Sequence, residues 1–329
     1  MTDRRKGGAL LIVLWLTAAL SAIAFSVANT VRGEVERAAT AADGVRAYFL
    51  ARGAVERALL WMQWGDVRNP DGSPKYWAPW MRQLHFEFPG GLADVEIIPE
   101  ASKINVNTIE PVELLRMLAA LEVEPARANL IAAAIVDWRT QPPQGLSEFD
   151  QFYGSLVPSF RARHASMEET EEILLVRGMT PDLYHGTWRR NSDGRLYPVT
   201  GLKECLSVYP SGGMIDINSA RPPVMAALGI PPDAIASIVE LRRLMPFRTQ
   251  DQMAALQTRL GPLAARLGIT AGSMMTIRAT ARMRHPDGHV SDLRRTVSAL
   301  VKMNPVTKDA AYHILRWQDQ AALGMGDLQ

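Results

Sequence analysis

The opening stretch Met1-Thr2-Asp3-Arg4-Arg5-Lys6-Gly7-Gly8, followed by ALLIVLWLTAALSAIAFSVANTV up to Val31, decides how the rest of the chain is organised. The 25 residues from Gly7 to Val31 carry no formal charge. At a rise of 1.5 Å per residue, about 20 apolar residues cross the hydrocarbon core of a bilayer, so this segment is long enough to span one. Three basic residues against one acidic residue precede it, and such a cationic flank stays cytoplasmic, which sends the remaining ~300 residues across. A cleaved secretory signal is the rival reading, but it has a shorter apolar region closed by small residues at the cleavage site. Here the run flows into a helical pattern instead. Val31, Val35, Ala38, Ala42, Val45, Phe49, Leu59 and Met62 recur at three- to four-residue steps, with Glu34, Glu36, Arg37 and Arg46 between them. The expectation is a retained span continuing as one helix, about 80 Å long if unbroken from Ala9 to Met62. Gly33, Gly44 and Gly53, each costing ~1 kcal/mol relative to alanine, mark places where it could bend.

The whole chain has 329 residues, 47% of them hydrophobic and 21% charged, with a mean hydropathy of -0.04. That length predicts about two domains, and the composition excludes both a mainly disordered chain and a multi-span membrane protein. A single cysteine, Cys205, excludes an intramolecular disulfide and a multi-cysteine zinc site. The formal net charge of +2 belongs entirely to Met1–Gly8, because the remaining chain holds equal numbers of acidic and basic side chains. The sequence pI of 8.7 therefore signals topology rather than nucleic acid.

Beyond a turn-rich, aromatic stretch from Trp64 to Trp80, Phe86 and Phe88 alternate with His85 and Glu87. Pro89-Gly90-Gly91 breaks the run, and Val95 and Ile97 alternate with Asp94 and Glu96, which is a β-hairpin pattern. Alternation returns from Met275 to Arg284, turns at His285-Pro-Asp-Gly-His289, continues through Val297, Leu300 and Val301, and ends on a short strand at Tyr312–Trp317. Between these β regions the signals are helical. Pro111 opens a run through Leu121, Ala126 to Trp138 is alanine-rich, and Ser166-Met-Glu-Glu169 has capping-box form ahead of Ile173–Val176, with Gly178 as a stop. The expected class is α+β: residues 1–8 a leader, 9–31 a transmembrane helix, 32–109 the first part of a small α/β domain, 110–273 an all-α insertion, and 274–329 the second part.

Within the insertion, KINVNTIEPVELLRMLAAL from Lys103 and MIDINSARPPVMAALGI from Met214 repeat an Ile-x-x-Asn core, a Ser or Thr, a proline and an apolar helix. Thr108 and Ser219 are the expected N-caps, with Asn107 and Asn218 bonding nearby backbone. These segments resemble the helix-hairpin-helix (SAM-like) modules of DNA-uptake and repair proteins, which raises a rival function: a membrane-anchored DNA-binding protein. Against it, the hairpin that would offer N–H groups to phosphate reads Gly229-Ile230-Pro231-Pro232, and two prolines remove two donors. Arg242 and Arg243 could touch phosphate or simply be solvated.

The leader, the glycine and the apolar helix also look like a prepilin signal, which is cut after Gly8 so that Ala9 begins the mature chain. Most pilin-like subunits carry a glutamate five residues into the mature chain, where this sequence has Val13. Those features resemble the minor pseudopilin K family of type II secretion systems (general secretion pathway protein K), over essentially the whole chain. Further matching features are the two Asn-rich repeats, Asp137-Trp138, Gly145-x-x-Glu148 with Tyr153, and Glu172-x-x-Leu175-Val176-x-Gly178-Met-Thr-Pro181-x-x-Tyr184. The resemblance implies a pilin-like fold in the bacterial inner membrane, crossed once, with the N-terminus cytoplasmic and the C-terminal domain periplasmic. It implies processing by prepilin peptidase, and a role at the tip of a short periplasmic pseudopilus beside the other minor pseudopilins, of I, J and H type. A carboxylate in a membrane is costly unless paired, commonly with a neighbouring subunit's amine. A subunit without one need not neutralise a subunit above it, and a bulky insertion would not pack within a shaft. Both fit a terminal position.

Some members bind calcium, which takes six to eight oxygens. Asp137, Glu148 and Asp150 are the candidate ligands here, although Thr140 and Gln141 stand where relatives often carry a further aspartate. The other reading makes them ordinary solvated carboxylates and helix caps, with no cofactor required. No nucleophile elbow or phosphate loop occurs, the six histidines are scattered, and Cys205 reads as a packed side chain, so an enzyme is not expected. Arg278, Arg282, Arg284, Arg294 and Arg295 read as one solvated face of a hairpin.

Overall fold

A computed structural model describes residues 6–142, 145–210, 213–269, 272–304, 311–319 and 321. The first element, α1 (Lys6–Gln63), is one uninterrupted helix of 58 residues, about 87 Å long. None of Gly33, Gly44 and Gly53 breaks it. Its first half is exposed throughout, with an 18-residue window of mean hydropathy 2.4, and it is long and apolar enough to cross a membrane. Its second half buries a face of mostly small side chains, Ala47, Ala51, Ala54, Val55, Ala58, Leu59 and Met62, against a sheet.

That sheet has five strands in the order β1-β2-β9-β10-β11, all antiparallel. Strands β1 (Gln83–Phe88) and β2 (Gly91–Pro99) form the first hairpin. The alternation Phe86, Val95 and Ile97 points at the helix, while His85 and Glu96 point away. Residues Glu100 to Ser273 then leave the sheet before it resumes with a neighbour of β2. This detour holds β3 (Ile104–Asn105), α2 (Pro111–Ala120), α3 (Pro125–Arg139), α4 (Glu148–Gly154), α5 (Pro181–His185), β4 (Thr187–Arg190) and β5 (Leu196–Val199). It goes on through β6 (Leu206–Ser207), β7 (Ile215–Asp216), α6 (Pro222–Ala227), α7 (Pro232–Leu244), α8 (Gln250–Leu260) and β8 (Leu267–Gly268). The sheet closes with β9 (Met274–Arg284), β10 (Val290–Met303) and β11 (Tyr312–Gln318). Trp317 donates to Asp319, which also accepts from the Tyr48 hydroxyl, so the last described strand is clasped to α1.

The insertion is not all-α. Thr187-Trp-Arg-Arg190 and Leu196-Tyr-Pro-Val199 pair as an exposed hairpin around an Asn191-Ser-Asp-Gly194 turn, and β3–β6 and β7–β8 are two-residue parallel ladders. The apolar residues of the insertion form a core separate from the one beneath the sheet, centred on Leu114, Met117, Ile131, Ile135, Tyr153, Ile173 and Tyr184. Around Thr170 the chain forms a 3-10 turn (Thr170–Leu175), and its capping box is Glu169 with Glu172 rather than one opened by Ser166.

The internal repeat is real down to single hydrogen bonds. In the first copy Ile104 and Val106 donate to the carbonyls of Cys205 and Ser207; in the second, Ile215 and Ile217 donate to those of Arg266 and Gly268. Asn107 exchanges two bonds with the backbone of Met167, and Asn218 does the same with Phe247. Both asparagines therefore clamp a distant segment rather than a nearby turn. Thr108 and Ser219 are not N-caps: Pro111 and Pro222 fix the first helical residue, leaving Glu110 and Arg221 at the cap positions.

Insertion and sheet meet across an ionic seam on the face opposite α1. Arg278 of β9 pairs with Glu96 and Glu204, Arg316 of β11 with Glu169 and Glu171, and Lys103 with Glu100. Burial raises Glu204's pKa, but the combined charges of Arg278, Lys103 and Arg221 hold it below the usual carboxylate range. Deeper still, Arg82, just ahead of β1, reaches Asp216 of β7 at 2.7 Å.

Candidate functional site

The first candidate surface is α1 itself. Gly8 and Ala9 lie near the start of this helix, and both are exposed. Above the apolar run, Val35 and Phe49 are 61% and 59% exposed, and Val31 and Val45 share their face. At 100° per residue these four lie on the side opposite the alanines that pack on the sheet. The helix thus presents two apolar faces, one covered by its own sheet and one open.

The second candidate is the carboxylate cluster at the start of α4. Ser147 caps this helix: its hydroxyl accepts from the Asp150 N–H while the Asp150 carboxylate accepts from the Ser147 N–H, and the same hydroxyl donates to Asp137 at the end of α3. His164 Nε2 bonds Asp150 Oδ2 at 2.8 Å, and its Nδ1 meets the carbonyls of Asp137 and Thr140. Burial lowers the His164 pKa, but the Asp150 hydrogen bond and the two carbonyls outweigh it and the net shift is upward. Burial likewise pushes Asp150 up, yet the Ser147 N–H and His164 together bring it below its ordinary value. Asp137 rises, chiefly by burial.

Asp137 and Asp150 are therefore brought together, whereas Glu148 is not. Its side chain is 87% exposed and faces Arg177 at 4.0 Å. Among the described residues Asp150 Oδ1 is buried without a close hydrogen-bond partner, the one feature that suits a cation. The donor set does not: among the described residues no three of His, Cys, Asp and Glu converge on one point, and the imidazole of His164 already lies against Asp150. Of the three predicted residues, Asp137 and Asp150 meet and Glu148 lies apart from them. His164 gave no local signal, since it reaches the cluster from an irregular loop at φ +50°.

The third candidate, the repeated hairpin, is used internally. The Gly229 and Ile230 N–H groups bond the carbonyls of Ala226 and Met225, so they are not free to meet an anion. Arg242 is half-buried, with its pKa pushed down to about 10 by burial and by Arg221, and it donates to the carbonyls of Ile217 and Ala220. In the first copy Arg139 donates to the equivalent carbonyls of Val106 and Ile109. These arginines close a turn and are not offered to phosphate. Cys205 is wholly buried, with its thiol pushed up to about 12, which leaves it unreactive.

A membrane-length helix packed on an antiparallel sheet, with a large insertion spliced between neighbouring strands, defines an α+β protein with a candidate membrane anchor. The sequence profile described as Type II secretion system (T2SS), protein K matches residues 96–187, from β2 through both halves of the Asp137–Asp150 cluster. The chain is 24% identical to the type II secretion system protein K of Klebsiella pneumoniae over 265 residues, covering 75% of this chain and 76% of that one. It is 28% identical over 202 residues to that of Pectobacterium carotovorum subsp. carotovorum (56% and 61% covered), and 26% identical over 252 residues to that of Aeromonas hydrophila (68% and 70% covered). The chain is thus similar to type II secretion system protein K chains, both in this central segment and over most of its length. A chain of the GspK-GspI-GspJ complex from enterotoxigenic Escherichia coli superposes with a TM-score of 0.49 at 17% identity, over 87% of this chain and 98% of that one.

Proposed function

We propose that the protein is a minor pseudopilin of pilin-like fold that sits at the tip of a type II secretion pseudopilus and helps start its assembly, as a structural and not a catalytic component. The observation that carries this reading is the pair of apolar faces on α1. One is consumed by the sheet, and the other, through Val31, Val35, Val45 and Phe49, stays open for the long helices of sibling subunits. Helices of this kind pack side by side both in a bilayer and in a filament core. The insertion between β2 and β9 supports a terminal position, because its bulk would obstruct a subunit stacked above it. Val13 supports it too: this chain has no intramembrane carboxylate with which to neutralise the amine of a neighbour. In this reading the N-terminus is cytoplasmic, the sheet and insertion are periplasmic, and prepilin peptidase cuts between Gly8 and Ala9.

Two measurements test it. Detergent-solubilised full chain is expected to retain minor pseudopilins of I and J type in a pull-down and to show no salt-dependent affinity for duplex DNA. Steep salt-dependent DNA binding without pseudopilin capture would replace this reading with the DNA-uptake one. Gly8→Ala is expected to abolish processing, read as a chain that keeps its leader by intact mass. Normal cleavage of that variant refutes the prepilin assignment.

A further inference from the structure

The hairpin β9–β10 is longer than the β1–β2 hairpin beside it, and its excess length points at the membrane. The rings of Phe86 and Trp61 meet at 4.8 Å, and Gly91, at the next turn, lies against Leu50. Strand β1 therefore runs toward the membrane end of α1, and the β1–β2 turn lies on that side. Strand β9 pairs alongside β2 until Met283 faces Gly91, and Arg284 donates to the carbonyl of Gly90. The β9–β10 hairpin then continues past that turn. On its return, the Arg295 guanidinium lies over Gly44, where a Cβ would stand 3.0 Å from Nη2. Gly44 is about 20 Å along the helix from the end of the apolar run at Val31. From Arg295 to the tip at Asp287 the hairpin extends about five rungs, or about 16 Å. Even crossing the helix obliquely, the tip comes within about one Debye length, ~8 Å, of the headgroup layer.

Two of the three arginines on that end make no ion pair among the described residues, and the third has only an exposed partner. Arg282 and Arg294 face each other directly across the two strands, a like-charge pair that is destabilising in water. Among the described residues neither forms an ion pair with a carboxylate. Farther up the same face Arg278 is covered by Glu96 and Glu204 of the ionic seam, but the insertion does not extend down to Arg294, which is exposed. Of the acidic groups at this end, Glu87 pairs with Arg284, Asp94 with His85, and the Asp287 carboxylate accepts the His289 N–H inside the turn, which leaves exposed Asp292 as the one opposing charge among the described residues against Arg282 and Arg294. Arg295 lies on the inner face against the helix, so the sequence expectation of five arginines on one solvated face divides into one in the seam, one on α1 and three at the membrane end.

We infer that Arg282, Arg284 and Arg294 form a docking surface for the anionic phospholipid headgroups of the bilayer that α1 crosses. The surface would hold the sheet down on the membrane before the subunit is drawn into a pseudopilus. The inference rests on the membrane-anchored reading of α1 and needs no particular position in the filament.

The test uses full-length protein in nanodiscs of phosphatidylcholine alone or with 30% phosphatidylglycerol, read by amide hydrogen exchange. Retention in the discs at high salt reports the anchor independently. In phosphatidylglycerol discs the 284–291 segment is expected to exchange three- to ten-fold more slowly than in neutral discs. The difference should vanish at 0.5 M salt and in Arg282→Glu/Arg294→Glu, while the Asn191–Gly194 turn is unchanged throughout. The neutral pair Arg282→Gln/Arg294→Gln, which relieves the like-charge repulsion and so should fold at least as well, should lose the difference too. Equal exchange in the two disc types overturns the inference. So does protection that appears only when another pseudopilin is added, which assigns this face to a protein partner instead.

Discussion

Asp216→Ala is expected to destabilise the protein by about 3–5 kcal/mol, the typical cost of stranding one member of a buried ion pair. Asp216 is wholly buried and its partner Arg82 is 16% exposed. Two further guanidinium nitrogens of Arg82, Nε and Nη1, are buried without hydrogen-bond partners among the described residues. Burial already lowers the Arg82 pKa, with Asp216 opposing the shift, so removing the carboxylate leaves a poorly solvated cation at the junction of sheet and insertion. For domains of this size the loss corresponds to a melting temperature lower by roughly 6–20 °C. Arg82→Leu/Asp216→Leu removes both charges together and is expected to recover most of the loss, because an apolar pair of similar volume avoids the desolvation cost. Thermal unfolding of the three proteins in one detergent checks this. A single-mutant loss below about 1 kcal/mol would mean that water reaches Arg82 and that the pair is not a bolt between the two bodies.

The same pair shows where sequence reasoning stops. The position of the first repeat equivalent to Asp216 is Asn105, whose side chain accepts the Asn107 N–H within its own turn. The two copies look interchangeable in sequence. The approach of Arg82, 134 residues away, gives the second one a cation to meet. Local patterns were readable wherever burial follows a period: the Phe86–Val95 hairpin, β9 to β11, and the amphipathic α2 and α3 all came from alternation or three- to four-residue spacing. The two-residue ladders of Ile104 with Leu206 and Ile215 with Leu267 carry no such period, because each is set by a segment folded back from far along the chain. The β4–β5 hairpin has a legible signal, the Asn191-Ser-Asp-Gly194 turn between two short runs containing Trp188 and Tyr197. Of the site residues, Asp137 and Asp150 could be found from helix ends. The cation that meets them, His164, could not.

Gly91→Ala should be the most damaging single methyl group in the sheet, at about 3 kcal/mol or more, while Gly90→Ala one residue earlier should cost less than about 0.5 kcal/mol. A Cβ on Gly91 would stand 2.3 Å from the Arg282 carbonyl oxygen and 2.8 Å from Leu50 Cδ1. The first of these atoms is backbone in a paired strand, so relief requires β9 to move away from β2 at the rung where Gly91 faces Met283. The second is on α1, so the same methyl also pushes the sheet off the helix. On Gly90 the nearest atom is Met283 Cε at 3.7 Å, an ordinary contact with a flexible side-chain end. Thermal melts of the two variants should therefore differ by several degrees although the substitutions are chemically identical. Proteolysis should locate the defect, with cleavage rising in the 284–290 turn of Gly91→Ala and not at the Asn191–Gly194 turn of the insertion. Equal stability of the two alanine variants would show that the close approach of α1, β2 and β9 is not maintained. The β9–β10 hairpin would then lose the fixed reach toward the bilayer that its arginines require.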